Sequence, residues 1–218
     1  GANLLRLPNG QVVKKETFAV GREMTQIYTK STLPYDPNSE EYDSRWILSI
    51  KTDQKGQQFG LILFDLQTLV LLIGQFADDS LFTQFRTTVA QMRPVEVVYD
   101  KESVSDCVLR FLRAQPLPPQ MISFSSSSEN ISSFRAIALC SSYFGADCSK
   151  WPSVLQSLRG TQSQNSLAWE SLALLCLHLK KTMVDSQTIP MAEFKHYDPI
   201  SSRSKHLLLN SQAIQSLQ

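Results

Sequence analysis

Residues 69–100, LVLLIGQFADDSLFTQFRTTVAQMRPVEVVYD, constrain the fold more than any other stretch, because they read as strand, helix, strand. Residues 69–73 are a continuous apolar run, as a strand buried on both faces requires. Asp78 and Asp79 then bring carboxylates to a helix N-terminus, where they can accept from free backbone N–H groups. Leu81, Phe82, Phe85, Val89 and Met92 follow at helical spacing and share one apolar stripe. Pro94 ends that helix, and Val95, Val97, Val98 and Tyr99 make a short β-branched strand. A crossover of this kind returns parallel to a strand of the same sheet, with right-handed sense.

The flanking segments extend the pattern. Residues 46–50 (WILSI) and 59–66 (FGLILFDL) read as two strands joined at an Asp53-Gln-Lys-Gly56 turn, and Gln67-Thr68 links the second tightly to the third. Three strands with short links form an antiparallel meander, to which the crossover adds a fourth. A second helix fits 104–114, with Val104, Val108, Phe111 and Leu112 on one face, and Pro116-Leu-Pro118-Pro119 stops it. Residues 121–124 supply a short fifth strand, and 125–133 read as a mobile serine-rich loop. The remainder is helical. Phe134, Ile137, Ala138 and Cys140 open one helix, 151–158 form another with Gly160 as its C-terminal stop, and 167–184 form the strongest. In that last helix Leu172, Leu175, Cys176, Leu179 and Met183 make a stripe that Leu167, Leu174 and Leu177 widen, so it should be covered on two sides. Lys180 and Lys181 suit the negative end of its dipole. The fold class expected is α/β, with a ribonuclease-H-like mixed five-stranded sheet (antiparallel meander plus parallel crossover strands), flanking helices and a helical C-terminal part.

Ahead of the sheet, Pro8-Asn9-Gly10 is a turn signal, and Val12, Val13, Met24 and Ile27 are candidate strand residues in need of a pairing partner. Residues 35–44 (YDPNSEEYDS) read as an exposed acidic loop, since nothing in their spacing makes Asp36, Glu40, Glu41 and Asp43 converge on a metal. Past 198, PISSRS is a linker, and Leu207-Leu208-Leu209-Asn210 starts a new apolar segment.

Several of these stretches together resemble the MutS mismatch-repair family. Gly74-Gln-Phe76-Ala-Asp78-Asp79, Phe85-Arg86-Thr87 and Pro94-Val-Glu96-Val-Val resemble its connector domain, and are most like the six-type subunits of eukaryotes. Arg22-Glu23-Met24-Thr25-Gln26-Ile27-Tyr28-Thr29-Lys30 looks like the family's passage from mismatch-binding domain to connector. Leu177-His178-Leu179-Lys180-Lys181 and Met191-Ala192-Glu193-Phe194 resemble the connector's helix and exit segment. The resemblance runs from about Lys14 to His206, in the family's order. It implies a lead-in over 1–34, a connector over 35–198, and a linker with the start of the lever helices over 199–218. At that end the family usually shows Asp where Asn210 stands.

The resemblance also implies a role. The whole protein would be a nuclear mismatch-recognition ATPase using ATP and Mg, paired with a MutS homologue two subunit, acting on mismatched duplex DNA and contacting a MutL-type protein. This chain would be its non-catalytic connector, joining mismatch binding to the levers and the ATPase. No GxxxxGK[ST] phosphate loop occurs in the 218 residues, and Phe18-Ala19-Val20 lacks the Glu of the family's Phe-x-Glu reading motif. No catalytic, cofactor-binding or metal-ligating residue is assigned within the chain.

Composition agrees with that restraint. With 21 basic and 20 acidic residues, the chain lacks the broad basic field of most autonomous nucleic-acid binders. Arg86, Arg93, Arg110 and Arg113 are spread over two helices, while Lys14-Lys15 and Lys180-Lys181 are only pairs, so these read as solvated surface charge. No apolar run approaches the roughly 18 residues of a membrane span, and no basic start leads into an apolar core like that of a secretory signal. A chain opening Gly1-Ala2-Asn3 without Met reads as a piece of a longer one. Cys107, Cys140, Cys148 and Cys176 are irregularly spaced and read as reduced, mostly buried thiols. Neither they nor His178, His196 and His206 show metal-ligand spacing. The alternative from another class is a metal-dependent nuclease of ribonuclease-H-like fold. Such enzymes hold metal ions with carboxylates of the first and fourth strands and nearby helices. Here the first strand has no acid, and Asp53, Asp65, Glu96 and Asp100 form no set that sequence can make converge.

Overall fold

The structure, a computed structural model, describes residues 45–162 and 164–199 and, ahead of them, Leu4–Arg6, Val12–Lys14, Thr29 and Ser31. Strands β1 (Leu4–Arg6) and β2 (Val12–Lys14) pair antiparallel with each other, so Val12 and Val13 find their partner within the chain. The sequence readings for Pro8-Asn9-Gly10, Met24, Ile27, the 35–44 loop and everything past Pro199 lie outside the described residues.

The sheet has six strands. These are β3 (Trp46–Thr52), β4 (Gln58–Asp65), β5 (Val70–Ala77), β6 (Glu96–Asp100), β7 (Gln120–Phe124) and β8 (Glu193–His196), in the spatial order β7-β6-β3-β4-β5-β8. β3, β4 and β5 form the expected antiparallel meander, and β6 and then β7 join β3 in parallel. The expected count of five is corrected by β8. It overlaps the 191–194 stretch read as an exit segment and lies parallel to β5, with Leu71 opposite Phe194. Four residues with three polar side chains carry no strand period, and only the exposed flank of β5 makes them a strand.

The meander is fixed by local chemistry. In the first turn Asp53 Oδ1 accepts from the amides of Gln57 (2.7 Å) and Gln58 (2.9 Å), and Gly56 takes a positive φ of 68° that a side chain would resist. In the second, Asp65 accepts from the Gln67 amide (3.0 Å) and the Thr68 hydroxyl (2.9 Å). Leu69, expected to open the third strand, instead completes that turn at φ 56°, and β5 begins at Val70.

Helices cover both faces. α1 (Thr83–Met92) and α2 (Asp106–Arg113) pack on one, where Phe85, Val89, Val108 and Leu112 meet Leu48, Ile50, Phe59, Leu61, Leu63 and Val97. The other face carries α4 (Ser133–Phe144), α5 (Ser153–Gly160) and α6 (Ser166–Lys181), over Ile47, Ile62, Phe64, Ile73 and Val98. Strands β3 to β7 alternate between these two cores, the period of two seen from both sides. α3 (Ser126–Glu129) and α7 (Asp185–Thr188) are single turns. α3 corrects the reading of 125–133 as a loop: its serines bond to carboxylates on β6 and just past it, which composition does not reveal. Gly160 is likewise the last residue of α5 rather than a stop beyond it, and Thr161 is the cap. Gly145, by contrast, caps the end of α4 at φ 88°.

Candidate functional site

The α6 face of the sheet is not uniformly apolar. Between its apolar side chains, β3, β4, β5 and β6 make polar contacts with α6 in three places along the helix. This helix has twelve buried residues and lies between the sheet and α4, as its excess of leucines predicts.

At the carboxyl end of β3, Lys51 Nζ contacts Asp100 Oδ2 at 2.6 Å and Glu170 Oε2 at 3.5 Å, and also reaches the Ser126 hydroxyl. Lys51 and Asp100 are level on parallel strands, and Glu170 comes down from the first turns of α6. Asp100 further accepts from the Ser126 hydroxyl (2.7 Å) and amide (3.1 Å), which holds α3 in place. Burial alone would push the Asp100 carboxyl up, but the bonds from Lys51 and Ser126 outweigh it and hold it below the ordinary value. Glu170 goes the other way, raised by burial that its looser contact with Lys51 offsets only in part.

In the middle, the Ser49 hydroxyl donates to the Ser171 carbonyl and the Ser171 hydroxyl donates to the Gly60 carbonyl, both at 2.8 Å. Gly60 permits this approach, since a Cβ there would run into the backbone of Leu167 and Ala168. Gln75 of β5 completes the contact: its Oε1 accepts from the amides of Leu167 (3.0 Å) and Ala168 (3.3 Å), supplying the helix cap that the Asn165 side chain does not.

At the other end, Glu96 is fully buried in β6 between two partners. Its Oε2 lies 3.1 Å from His178 Nε2 on α6, and its Oε1 accepts from the Ser31 amide at 2.9 Å. Burial works against the Glu96 carboxylate, but the bonds from His178, Thr29 and Ser31 prevail and keep its titration below the ordinary range.

The acids considered for metal chemistry do not form one set. Asp53 and Asp65 serve the two meander turns, and Glu96 and Asp100 stand at opposite ends of β6. Where Asp100 and Glu170 do approach one another, the Lys51 ammonium occupies the space between them. That cation was missed by sequence reading, because its partners are 49 and 119 residues away (100 − 51 and 170 − 51). No group of three or more His, Cys, Asp or Glu suited to a metal occurs among the described residues. Asp78 and Asp79 are capping residues, as expected. Asp78 accepts from the Gln84 and Phe85 amides (3.0 and 2.8 Å), and Asp79 from those of Leu81 and Thr83 (both 3.0 Å). All four cysteines are free; Cys140 and Cys176 are buried, burial pushes Cys140 up to about 12, and Cys107 is exposed. No described helix is long and apolar enough to cross a membrane.

No protein-family model matches the chain. Curated relatives do. The chain is 29% identical over 216 residues to the human DNA mismatch repair protein Msh6, covering 87% of this chain and 16% of that protein. It is 28% identical over 204 residues to Msh6 of Gallus gallus, covering 84% and 15%, and 26% identical over 163 residues to MSH6 of Saccharomyces cerevisiae, covering 73% and 13%. The chain thus spans about one-sixth of the length of the human and chicken relatives. The chain is thus similar, over most of its residues, to Msh6 of three organisms, a likeness that supports an Msh6-like protein of the MutS family.

Proposed function

We propose that the chain is the connector of a DNA mismatch-recognition ATPase, a non-catalytic unit over 35–198 between a lead-in at 1–34 and the start of the lever helices at 199–218. The observation that carries this reading is the match of most of the chain to only about one-sixth of Msh6, by a sheet closed with helices on both faces. The spatial order β7-β6-β3-β4-β5, with β4 alone antiparallel to its neighbours, supports a ribonuclease-H-like fold extended by β8. A connector must transmit position, and the doubly covered α6, registered on the sheet by three polar contacts, suits a rigid coupling element.

The whole protein would bind and hydrolyse ATP with Mg through a phosphate loop outside these residues. It would pair with a MutS homologue two subunit, engage mismatched duplex DNA, contact a MutL-type protein and act in the nucleus. A metal-dependent nuclease is disfavoured by Lys51, whose ammonium already neutralises the carboxylates that would have to receive a cation. The test uses the full-length protein with its partner subunit. A G·T heteroduplex should raise ATP turnover, and replacing residues 45–199 with a flexible linker of equal length should abolish that rise while basal hydrolysis persists. A mismatch response that survives the replacement would refute the connector role.

A further inference from the structure

We propose that Glu96 is a two-sided latch that ties the chain ahead of the sheet to the C-terminal part of α6. The geometry is specific. One carboxylate oxygen takes the Ser31 amide and the other faces His178 Nε2, so a single buried group joins two segments 147 residues apart (178 − 31). All three residues are enclosed, with Ser31 at 3%, Glu96 at 0% and His178 at 4% exposure. The Thr29 hydroxyl adds a third bond to the carboxylate and lies 3.1 Å from the Ser31 hydroxyl.

A carboxylate of this kind cannot lose one partner quietly. Withdrawing the segment that carries Thr29 and Ser31 takes the hydroxyl and amide donors from a buried carboxylate, a loss that costs far more than the bonds are worth in water. Glu96 must then turn, be hydrated or repack, and each of these disturbs His178. His178 is itself tied to the end of α6, where its carbonyl accepts from the Thr182 amide (3.0 Å) and hydroxyl (3.2 Å). Displacement at Ser31 is thereby felt in the last turn of α6, and by reciprocity loosening of that turn weakens the hold on Ser31. This rests on the geometry alone and stands or falls independently of the connector reading.

Native-state amide hydrogen exchange on the full chain tests it, with Ser31→Pro, which deletes the donor, and Glu96→Leu, which deletes the latch. Ser31→Pro should speed exchange at Thr182, Met183 and Val184 by about tenfold, the scale set by a hydrogen bond to a charged group. Glu96→Leu should speed exchange at Ser31 by a similar factor, with the β3–β4 amides of Leu48 and Leu63 as the folded-state control. Glu96→Gln, which keeps an acceptor for Ser31, should restore most of the Ser31 protection. Unchanged exchange at Thr182–Val184 in Ser31→Pro overturns the latch, as does Ser31 protection that persists in Glu96→Leu. Should Glu96→Leu fail to fold, Ser31→Pro and Glu96→Gln decide between the same outcomes.

Discussion

At the scale of single residues, the fold stabilises Glu96 and Asp100 as anions and disfavours the anion of Glu170. Glu96 and Asp100 titrate below their ordinary 4.5 and 3.8 in the folded chain. Their contribution is therefore fully present above those values and is lost as the pH falls through the depressed folded-state ones. Glu170, raised, has the opposite sign: its protonation relieves a cost, and does so first on acidification. Urea midpoints measured from neutral pH downwards should hold level or rise slightly to about pH 5 and then fall. Glu170→Gln should remove the early rise, and Glu96→Gln should make the later fall shallower. Gly60 gives a second prediction. Gly60→Ala forces a methyl against the Leu167 backbone and should cost about 1–3 kcal/mol in urea unfolding, the usual scale of overpacking. The capping carboxylates Asp78 and Asp79 were legible in sequence because their partners lie within seven residues. Glu96 was weighed in sequence only as one of four scattered acids and Lys51 went unnoticed, because what defines them is brought close only by the sheet and α6.

Among the elements, α6 carries the strongest expectations. Leu175 and Leu179 are fully buried, so Leu175→Ala and Leu179→Ala should each cost about 2–5 kcal/mol through lost transfer energy and the cavity left behind. Lys180→Ala should stay within about 0.5 kcal/mol, since Lys180 is exposed. Lys181→Ala should also be small: its pair with Glu129 (2.9 Å) and its position over the Phe124 ring are at the surface. Urea unfolding of the four variants checks the ranking, and leucine changes as mild as the lysine ones would mean that α6 is not core. Gln75→Ala should cost on the order of 1 kcal/mol, the loss of a helix cap that happens to reside on a strand. The two-sided burial of α6 was readable from the surplus of leucines beyond one stripe. Its cap was not, because Gln75 lies 92 residues before Leu167. β8 escaped for a related reason, since Glu193, Lys195 and His196 are exposed and only Phe194 points inward.

For the molecule as a whole, near-neutral charge and a carboxylate pair already held by a lysine lead to an expectation of weak interaction and no turnover. The 218-residue chain should bind matched and G·T-containing duplexes weakly, without preference and with strong salt sensitivity, by titration at physiological ionic strength. With Mg²⁺ or Mn²⁺ it should cleave neither duplex DNA nor RNA–DNA hybrid. Specific cleavage lost in Asp100→Asn or Asp65→Asn would restore the nuclease reading, and a clear mismatch preference would give this chain a reading function of its own. The order of meander and crossover was legible because both are written in local periods.

The position of β8 also has a consequence for synthesis on the ribosome. β5 is complete at Ala77, yet the strand that covers its outer edge begins at Glu193, 116 residues later (193 − 77). Throughout that interval the nascent chain presents an apolar strand with an unpaired row of amides and carbonyls, the feature that recruits foreign strands. Tyr197 completes the closure, donating its amide to the Ile73 carbonyl (2.8 Å) and setting its hydroxyl 2.9 Å from that of Thr88. A chain released after Ala192 should therefore self-associate where one released after Pro199 stays dispersed, a contrast that light scattering of the two products would register.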